Sequence, residues 1–202
     1  MGLEDDNFGF KVVDLHKPDP LGMVAPVMLN AKQIMQELWR MKMQWDEPLR
    51  RPILQRRHSW KSSLELLTII SVPRFYFLKT RYEGSMLELH HPCDASEVGY
   101  GAVSYLRVVY PNGKMECSFI LGKSRKTPLK TLSIPRLELL SAVLAARMNT
   151  AIRKELEMEV DRVVFWTDSM ITLNYIRNET RRFQTYVANR ITEIRDKTML
   201  ES

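Results

Sequence analysis

The spacing of apolar residues changes partway along this chain. From Val27 to Trp45, and again between Pro52 and Ile70, apolar positions recur three or four residues apart. This spacing predicts two helices, each with one apolar face turned into a core. Met41 and Trp45 fall on the face of the first helix, so we expect both in that core.

After about residue 84 the pattern becomes that of strands. Strands are predicted at Met86–Cys93, Tyr100–Tyr110 and Lys114–Leu121. Between the last two, Pro111-Asn112-Gly113 favours a hairpin turn, because Asn and Gly tolerate the positive φ angles that such turns need. Three antiparallel strands are therefore expected.

Helical spacing returns after these strands. Ser133 suits the cap of a helix, Pro135 suits its first turn, and apolar residues then recur at helical spacing as far as Ile152. The remaining predicted elements are a short strand at Arg162–Trp166 and helices at Ser169–Arg177 and around Phe183–Ile194. The order of three strands, helix, strand and two helices predicts an α/β fold with a mixed sheet.

Three segments are expected along the chain. Residues 1–26 carry several Pro and Gly residues and are predicted to be irregular. Residues 27–83 are predicted to form a helical appendage. The composition shifts between Pro73 and Gly84, so residues 84–202 are predicted to form the α/β domain.

Composition narrows the class of protein. The chain has 202 residues, 45% of them hydrophobic, which is enough for a buried core. Thirty basic against 24 acidic residues give a net charge of +6, which favours a polyanionic partner, although solvated lysines give the same balance. Two cysteines suit a reducing compartment. With no apolar span and no signal-peptide pattern, we expect an intracellular protein, cytoplasmic or nuclear, that does not bind membrane.

Three carboxylates stand where the predicted elements meet. Asp94 ends the first strand, Glu138 lies in the first turns of the long helix, and Asp168 follows the short strand. Taken singly, each has a structural explanation, since Asp168 suits a helix cap and Glu138 a solvated face. Taken together in this order of elements, they predict a divalent-metal site, because Mg²⁺ prefers carboxylate oxygens.

Several stretches carry a family resemblance. Cys93–Val103, Ser124–Arg125, Ser133–Leu139 and Phe165–Ser169 resemble the ribonuclease H region of BEL/Pao retrotransposon Pol polyproteins, as does Val187–Arg190. Asp19–Val27, Glu37–Trp39 and Trp45–Leu49 resemble the segment that trails the reverse transcriptase in those polyproteins. The resemblance covers nearly all of the chain after about residue 19.

The resemblance implies a ribonuclease H-like fold and Mg²⁺-dependent cleavage of the RNA strand of an RNA–DNA hybrid, with Mn²⁺ as a possible substitute. It makes Asp94, Glu138 and Asp168 the catalytic metal ligands of a two-ion site, with Asp94 bridging both ions. The residues then expected to contact the substrate are Ser96, Lys123, Arg125 and Lys126. A solvated turn explains the three basic residues equally well. The remainder of a Pol polyprotein is implied as a further partner.

The chain also departs from the family pattern. In the family a further strand and a fourth aspartate follow, and neither appears before Ser202, so we expect a C-terminally truncated sheet and an incomplete site. Two hypotheses therefore stay open. The chain is either a hybrid-cleaving ribonuclease or a catalytically inactive retroelement remnant that binds nucleic acid or has no activity.

Overall fold

The structure is a computed structural model that describes residues 7–9, 19, 21–69, 71–73, 84–156 and 158–198. Packing divides the chain into two compact units, residues 1–78 and 79–202. The boundary expected near residue 84 falls a few residues after this division. Most of the N-terminal segment predicted to be irregular lies outside the described residues.

The first unit is built on two helices. Its described elements are strand β1 (Asn7–Gly9), helix α1 (Ala25–Arg40), helix α2 (Arg51–Glu65), a 3-10 helix (Leu66–Ile69) and strand β2 (Ser71–Pro73). β1 and β2 pair antiparallel, so the segment predicted to be irregular contains a short strand. The indole nitrogen Nε1 of Trp60 donates a hydrogen bond of 3.0 Å to the backbone oxygen of Val27 and joins α2 to α1.

The first predicted helix ends earlier than its apolar spacing indicated. α1 stops at Arg40, and Lys42 takes a left-handed φ of 54° that turns the chain out of the helix. Met41 and Trp45 are then 40% and 89% exposed, so their predicted place in the core is wrong. Helical spacing keeps a residue on one face only while the helix continues.

The second unit contains a four-stranded sheet and three helices. Its elements are β3 (Met86–Ala95), β4 (Gly99–Val109), β5 (Met115–Lys126), α3 (Ile134–Glu155), β6 (Arg162–Trp166), α4 (Met170–Arg177) and α5 (Thr185–Thr198). The strand order is β5-β4-β3-β6. β3, β4 and β5 pair antiparallel, while β6 lies parallel to β3. The predicted α/β class and mixed sheet are confirmed.

The hairpin between β4 and β5 turns through residues 110–114. The backbone N–H of Gly113 donates to the oxygen of Tyr110, and Gly113 takes a positive φ of 81°, whereas Asn112 does not share that conformation. The Asn112 side-chain oxygen instead accepts a hydrogen bond of 2.9 Å from the Lys114 N–H. Only the glycine of the predicted Asn-Gly pair therefore uses its conformational freedom.

α3 covers one face of the sheet and forms the main core with α5. Leu139, Ala145 and Ala146 on α3 have no exposed surface. Cys93 and Ala102, from β3 and β4, pack into the same cluster. The inward residues of the strands therefore lie on the α3 side, and their neighbours in sequence lie on the opposite side.

A buried polar network sits within this core. The ring nitrogens of His91 lie 2.8 Å from the Ser104 hydroxyl oxygen and 3.2 Å from the side-chain oxygen of Asn149. The imidazole stacks on Phe165 with ring centroids 5.0 Å apart. One residue thus connects β3 with β4, α3 and β6. Burial lowers the pKa of His91 to about 4, which keeps the ring neutral at pH 7.

None of the helices in the described ranges combines the length and the apolar character needed to cross a membrane.

Candidate metal centre

Asp94 is the residue before the last in β3 and is exposed. Its Oδ1 accepts a hydrogen bond of 2.7 Å from the backbone N–H of Ala95. On the neighbouring strand Asp94 is in register with Gly101. A Cβ at Gly101 would meet the Lys123 backbone oxygen at 3.1 Å, so glycine keeps the position beside Asp94 clear of a side chain.

Glu138 lies near the start of α3 and is buried, with 7% of its surface exposed. Its Oε2 has no hydrogen-bond partner within the described residues. Burial raises the pKa of Glu138, and the nearby charges of Asp94 and Asp168 raise it further, while a hydrogen bond from the Ala95 backbone acts in the opposite direction. The simpler explanation of Glu138, a place on a solvated face, is therefore wrong.

Asp168 lies in the short connection between β6 and α4 and is exposed. The helix is capped by Ser169, whose hydroxyl accepts a hydrogen bond of 3.2 Å from the Thr172 N–H. The N–H of Ser169 in turn donates to the hydroxyl of Thr167. The capping role considered for Asp168 thus belongs to its neighbour.

The fold brings these three carboxylates together. One carboxylate oxygen from each of Asp94, Glu138 and Asp168 lies within 4.8 Å of the others. Carboxylate oxygens are the ligands that hard divalent cations such as Mg²⁺ or Mn²⁺ prefer. The unpartnered Glu138 oxygen and the mutual repulsion of three carboxylates are both relieved when a cation binds, so the residues present fit a metal site.

Ser96 makes the turn between β3 and β4. Its hydroxyl oxygen lies 3.3 Å from the Val98 nitrogen and 3.4 Å from the Gly99 nitrogen, and accepts from both N–H groups. The same hydroxyl donates to the Gly99 oxygen. The structure thus gives Ser96 a role in the turn, and its contact with a substrate stays a prediction.

The three basic residues predicted to contact substrate lie on β5 but on two sides of the sheet. Lys123 is in register with Ala102 and Arg125 with Tyr100, which places Lys123 and Arg125 on the side covered by α3. Lys126, one residue further, lies on the opposite side. β5 is two strand spacings, about 10 Å, from β3 and its Asp94.

A cavity of about 250 Å³ lies beside Arg125. Its polar lining residues are Tyr100, Arg125, Arg147, Asn189, Arg190 and Glu193. Glu193 is engaged by Arg147 through two hydrogen bonds of 2.6 and 2.9 Å, and this pairing lowers the pKa of Glu193. The Arg190 guanidinium stacks over the ring of Tyr186 at 4.0 Å. Three guanidinium groups against one carboxylate leave the lining positive.

Arg147 and Arg190 were not among the residues predicted to form the site. Asn189-Arg190 belongs to a stretch that carries the family resemblance, which was the available signal. No motif in the sequence marked Arg147, because its position at the cavity depends on how α3 packs against α5.

Cys93 lies next to the carboxylates, but its thiol is not among the atoms that converge with them. Its thiol donates a hydrogen bond of 3.4 Å to the backbone oxygen of Trp166. Burial raises the pKa of the thiol to about 11, against the effect of a hydrogen bond with Ser141. The candidate ligands are therefore the three carboxylates.

Comparison with known proteins agrees with this architecture. The family model described as Pao retrotransposon-like RNaseH-like domain matches residues 17–169, which include all three carboxylates. No curated protein matches the sequence. The family match spans more than half of the chain, and the chain therefore belongs to this family.

Proposed function

We propose that this Pao retrotransposon-like RNaseH-like domain is a divalent-metal-dependent nuclease that hydrolyses the RNA strand of RNA–DNA hybrids, with Asp94, Glu138 and Asp168 as its metal ligands. The observation that carries the proposal is their convergence from three elements to within 4.8 Å. Bound Mg²⁺ or Mn²⁺ ions would supply stabilisation of the charge on the attacking and leaving oxygens of the phosphodiester.

The ligands are held by regular structure. Asp94 is on a strand within the sheet, and its carboxylate is oriented by the Ala95 N–H. Glu138 is on the longest helix, and Asp168 lies between a strand and a helix capped by Ser169. Ligands supported in this way keep their positions when substrate binds, which is what a precise site requires.

Metal binding at Glu138 would be coupled to the release of a proton. Its raised pKa means that the metal-free site retains a proton more readily than an isolated glutamate does. A carboxylate must be ionised to bind a cation, so binding releases whatever proton is present. Metal affinity should therefore fall as the pH falls.

The basic cavity beside Arg125 would hold a backbone phosphate of the hybrid. A positive lining suits a phosphodiester, and guanidinium groups bind phosphate oxygens through paired hydrogen bonds. Such contacts position a duplex without reading its bases. The choice of an RNA–DNA hybrid would then rest on helix shape and on the 2′-hydroxyl groups.

Cleavage of a hybrid with a different label on each strand tests the proposal. Purified protein with Mg²⁺ or Mn²⁺ should cut only the RNA strand, and Asp94→Asn should abolish cutting. Asp196→Asn is the matched control, because Asp196 is an exposed aspartate on α5 and has no part in the carboxylate cluster. If folded protein binds hybrid in a salt-dependent manner but does not cut it with either metal, the domain is a nucleic-acid-binding module without turnover.

A further inference from the structure

An apolar groove runs along α1 and the segment that follows it in the first unit. Its volume is about 380 Å³, and its lining includes Met35, Leu38, Trp39, Lys42, Met43 and Trp45. Trp39 is 74% exposed and Trp45 is 89% exposed. Two such tryptophans beside one groove form an exposed apolar patch of the kind that marks a binding surface.

An ion pair joins Arg56 of α2 to Glu37 of α1. Ile34 and Ile53 mark the buried sides of α1 and α2. At 100° per residue, Glu37 lies on one flank of the buried side of α1, and Arg56 lies on the corresponding flank of α2. The ion pair therefore identifies one side of the helix pair.

The helical repeat places two residues of the groove and two cations of α2 on the other flank of the helix pair. Counted from the buried positions by the same helical repeat, Met35 and Trp39 lie on the flank of α1 away from Glu37. Arg57 and Lys61 lie on the flank of α2 away from Arg56. The chain reverses between α1 and α2, and the N-terminal end of α1 packs against the C-terminal end of α2, so the two flanks lie side by side.

The charge of this region favours an anionic ligand. Residues 21–69 contain eight Lys and Arg residues against four Asp and Glu residues. Of those four, Glu37 pairs with Arg56, and Glu47 accepts a hydrogen bond of 3.2 Å from the Gln44 N–H at the groove. Arg57 and Lys61 are exposed. A purely apolar partner would bury the tryptophans but would make no use of these cations.

We propose that this groove binds unpaired bases of a single-stranded nucleic acid. The indoles of Trp39 and Trp45 offer flat surfaces on which bases stack. Lys42 at the groove and Arg57 and Lys61 beside it would contact the backbone phosphates. Aromatic platforms combined with a basic track are the usual means of binding single strands without sequence preference. The site shares no residue with the proposed metal centre and needs no metal.

Binding of the 202-residue chain to a fluorescent oligouridylate, measured in EDTA, tests the groove. Trp39→Ala and Trp45→Ala should each weaken binding by about 5-fold or more, the effect of losing one stacked base. Met41→Ala is the apolar control, because Met41 is 40% exposed but does not line the groove. Asp196→Asn, which lies outside both the groove and the carboxylate cluster, should bind as the wild type does. Because EDTA removes divalent metal, binding measured in this way does not depend on the proposed metal centre.

Two neighbouring arginines give a matched test of the phosphate contacts. Arg57→Gln should weaken binding and reduce its salt dependence by about one counterion. Arg56→Gln, on the opposite flank, should change neither. Unchanged affinity in both tryptophan variants overturns the proposal. A second outcome also overturns it. If sedimentation shows that the wild type is a dimer and that the tryptophan variants are monomers, while their affinity for the oligonucleotide is unchanged, the groove binds a second copy of the chain.

Discussion

Glu138 and Asp94 each bring a carboxylate oxygen within 4.8 Å of the other, Glu138 from its buried place on α3 and Asp94 from the exposed end of β3. The Oε2 of Glu138 has no hydrogen-bond partner within the described residues, and the charge of Asp94 adds to burial in raising the pKa of Glu138. Both effects disfavour the ionised form of Glu138, and a bound cation would favour it.

Replacing Glu138 by Gln should therefore weaken metal binding while it stabilises the fold in the absence of metal. The folded-state pKa of Glu138 is raised, so its favourable contribution is present below the unfolded pKa and declines as pH rises through the folded pKa. At pH 7 in EDTA, Glu138→Gln should unfold at a higher temperature than the wild type. Mn²⁺ at 100 times its Kd should stabilise the wild type by about 2.7 kcal/mol and the variant by much less. Equal Mn²⁺ stabilisation of both proteins would argue against Glu138 as a ligand.

His91 should make the second unit sensitive to acid. Its folded pKa is lowered to about 4 from 6.5, chiefly by burial. Its contribution to stability is complete above pH 6.5 and is lost as the pH falls towards 4. Over this range His91 is protonated in the unfolded chain but stays neutral in the folded chain. We expect a loss of about 3 kcal/mol over this range. Urea unfolding at several pH values should show a shallower pH dependence for His91→Leu, whereas His58→Gln, an exposed histidine, should keep the wild-type dependence.

Thr172→Val should stabilise the protein. Thr172 is fully buried in α4, and its hydroxyl has no hydrogen-bond partner within the described residues. Valine has the same shape and removes the cost of burying an unsatisfied hydroxyl, for a gain of about 1 kcal/mol. In the variant, the backbone N–H at position 172 still donates its hydrogen bond to the hydroxyl of Ser169, which caps the helix. A lower urea midpoint in Thr172→Val would mean that the hydroxyl is satisfied in solution.

Arg125→Gln should weaken hybrid binding without affecting metal binding. Arg125 lines the positive cavity on the α3 side of β5. Losing one phosphate contact should lower the slope of log affinity against log salt by about 1. Arg177→Gln serves as the control, because Arg177 is exposed at the end of α4 and does not line the cavity. An equal loss in both variants would indicate only a general effect of net charge.

Local pattern predicted most of the second unit. The strand at Arg162–Trp166 has the predicted bounds, and α3 begins directly after Ser133 as expected. Strand alternation and helical spacing arise from the repeat of each element itself, so the sequence contains the whole signal. The carboxylates were identified for a related reason, since each stands at an element boundary that the pattern marks.

Other features depended on how the elements pack. Trp45 falls at the spacing of the apolar face of the first helix, but α1 ends before it and its side chain is exposed. Lys123, Arg125 and Lys126 form one basic run in sequence, yet the sheet register places Lys126 on the side opposite the other two.

The sequence by itself determined which segments form strands and helices, the order of these elements and the three carboxylates of the candidate site. Tertiary structure decided the burial of Glu138, the His91–Ser104–Asn149 network and the cavity that joins Arg125 to Arg190. The physical reason is distance along the chain. A repeat fixes the neighbours of a residue within its own element, whereas contacts between elements depend on register and on packing, which no local pattern contains.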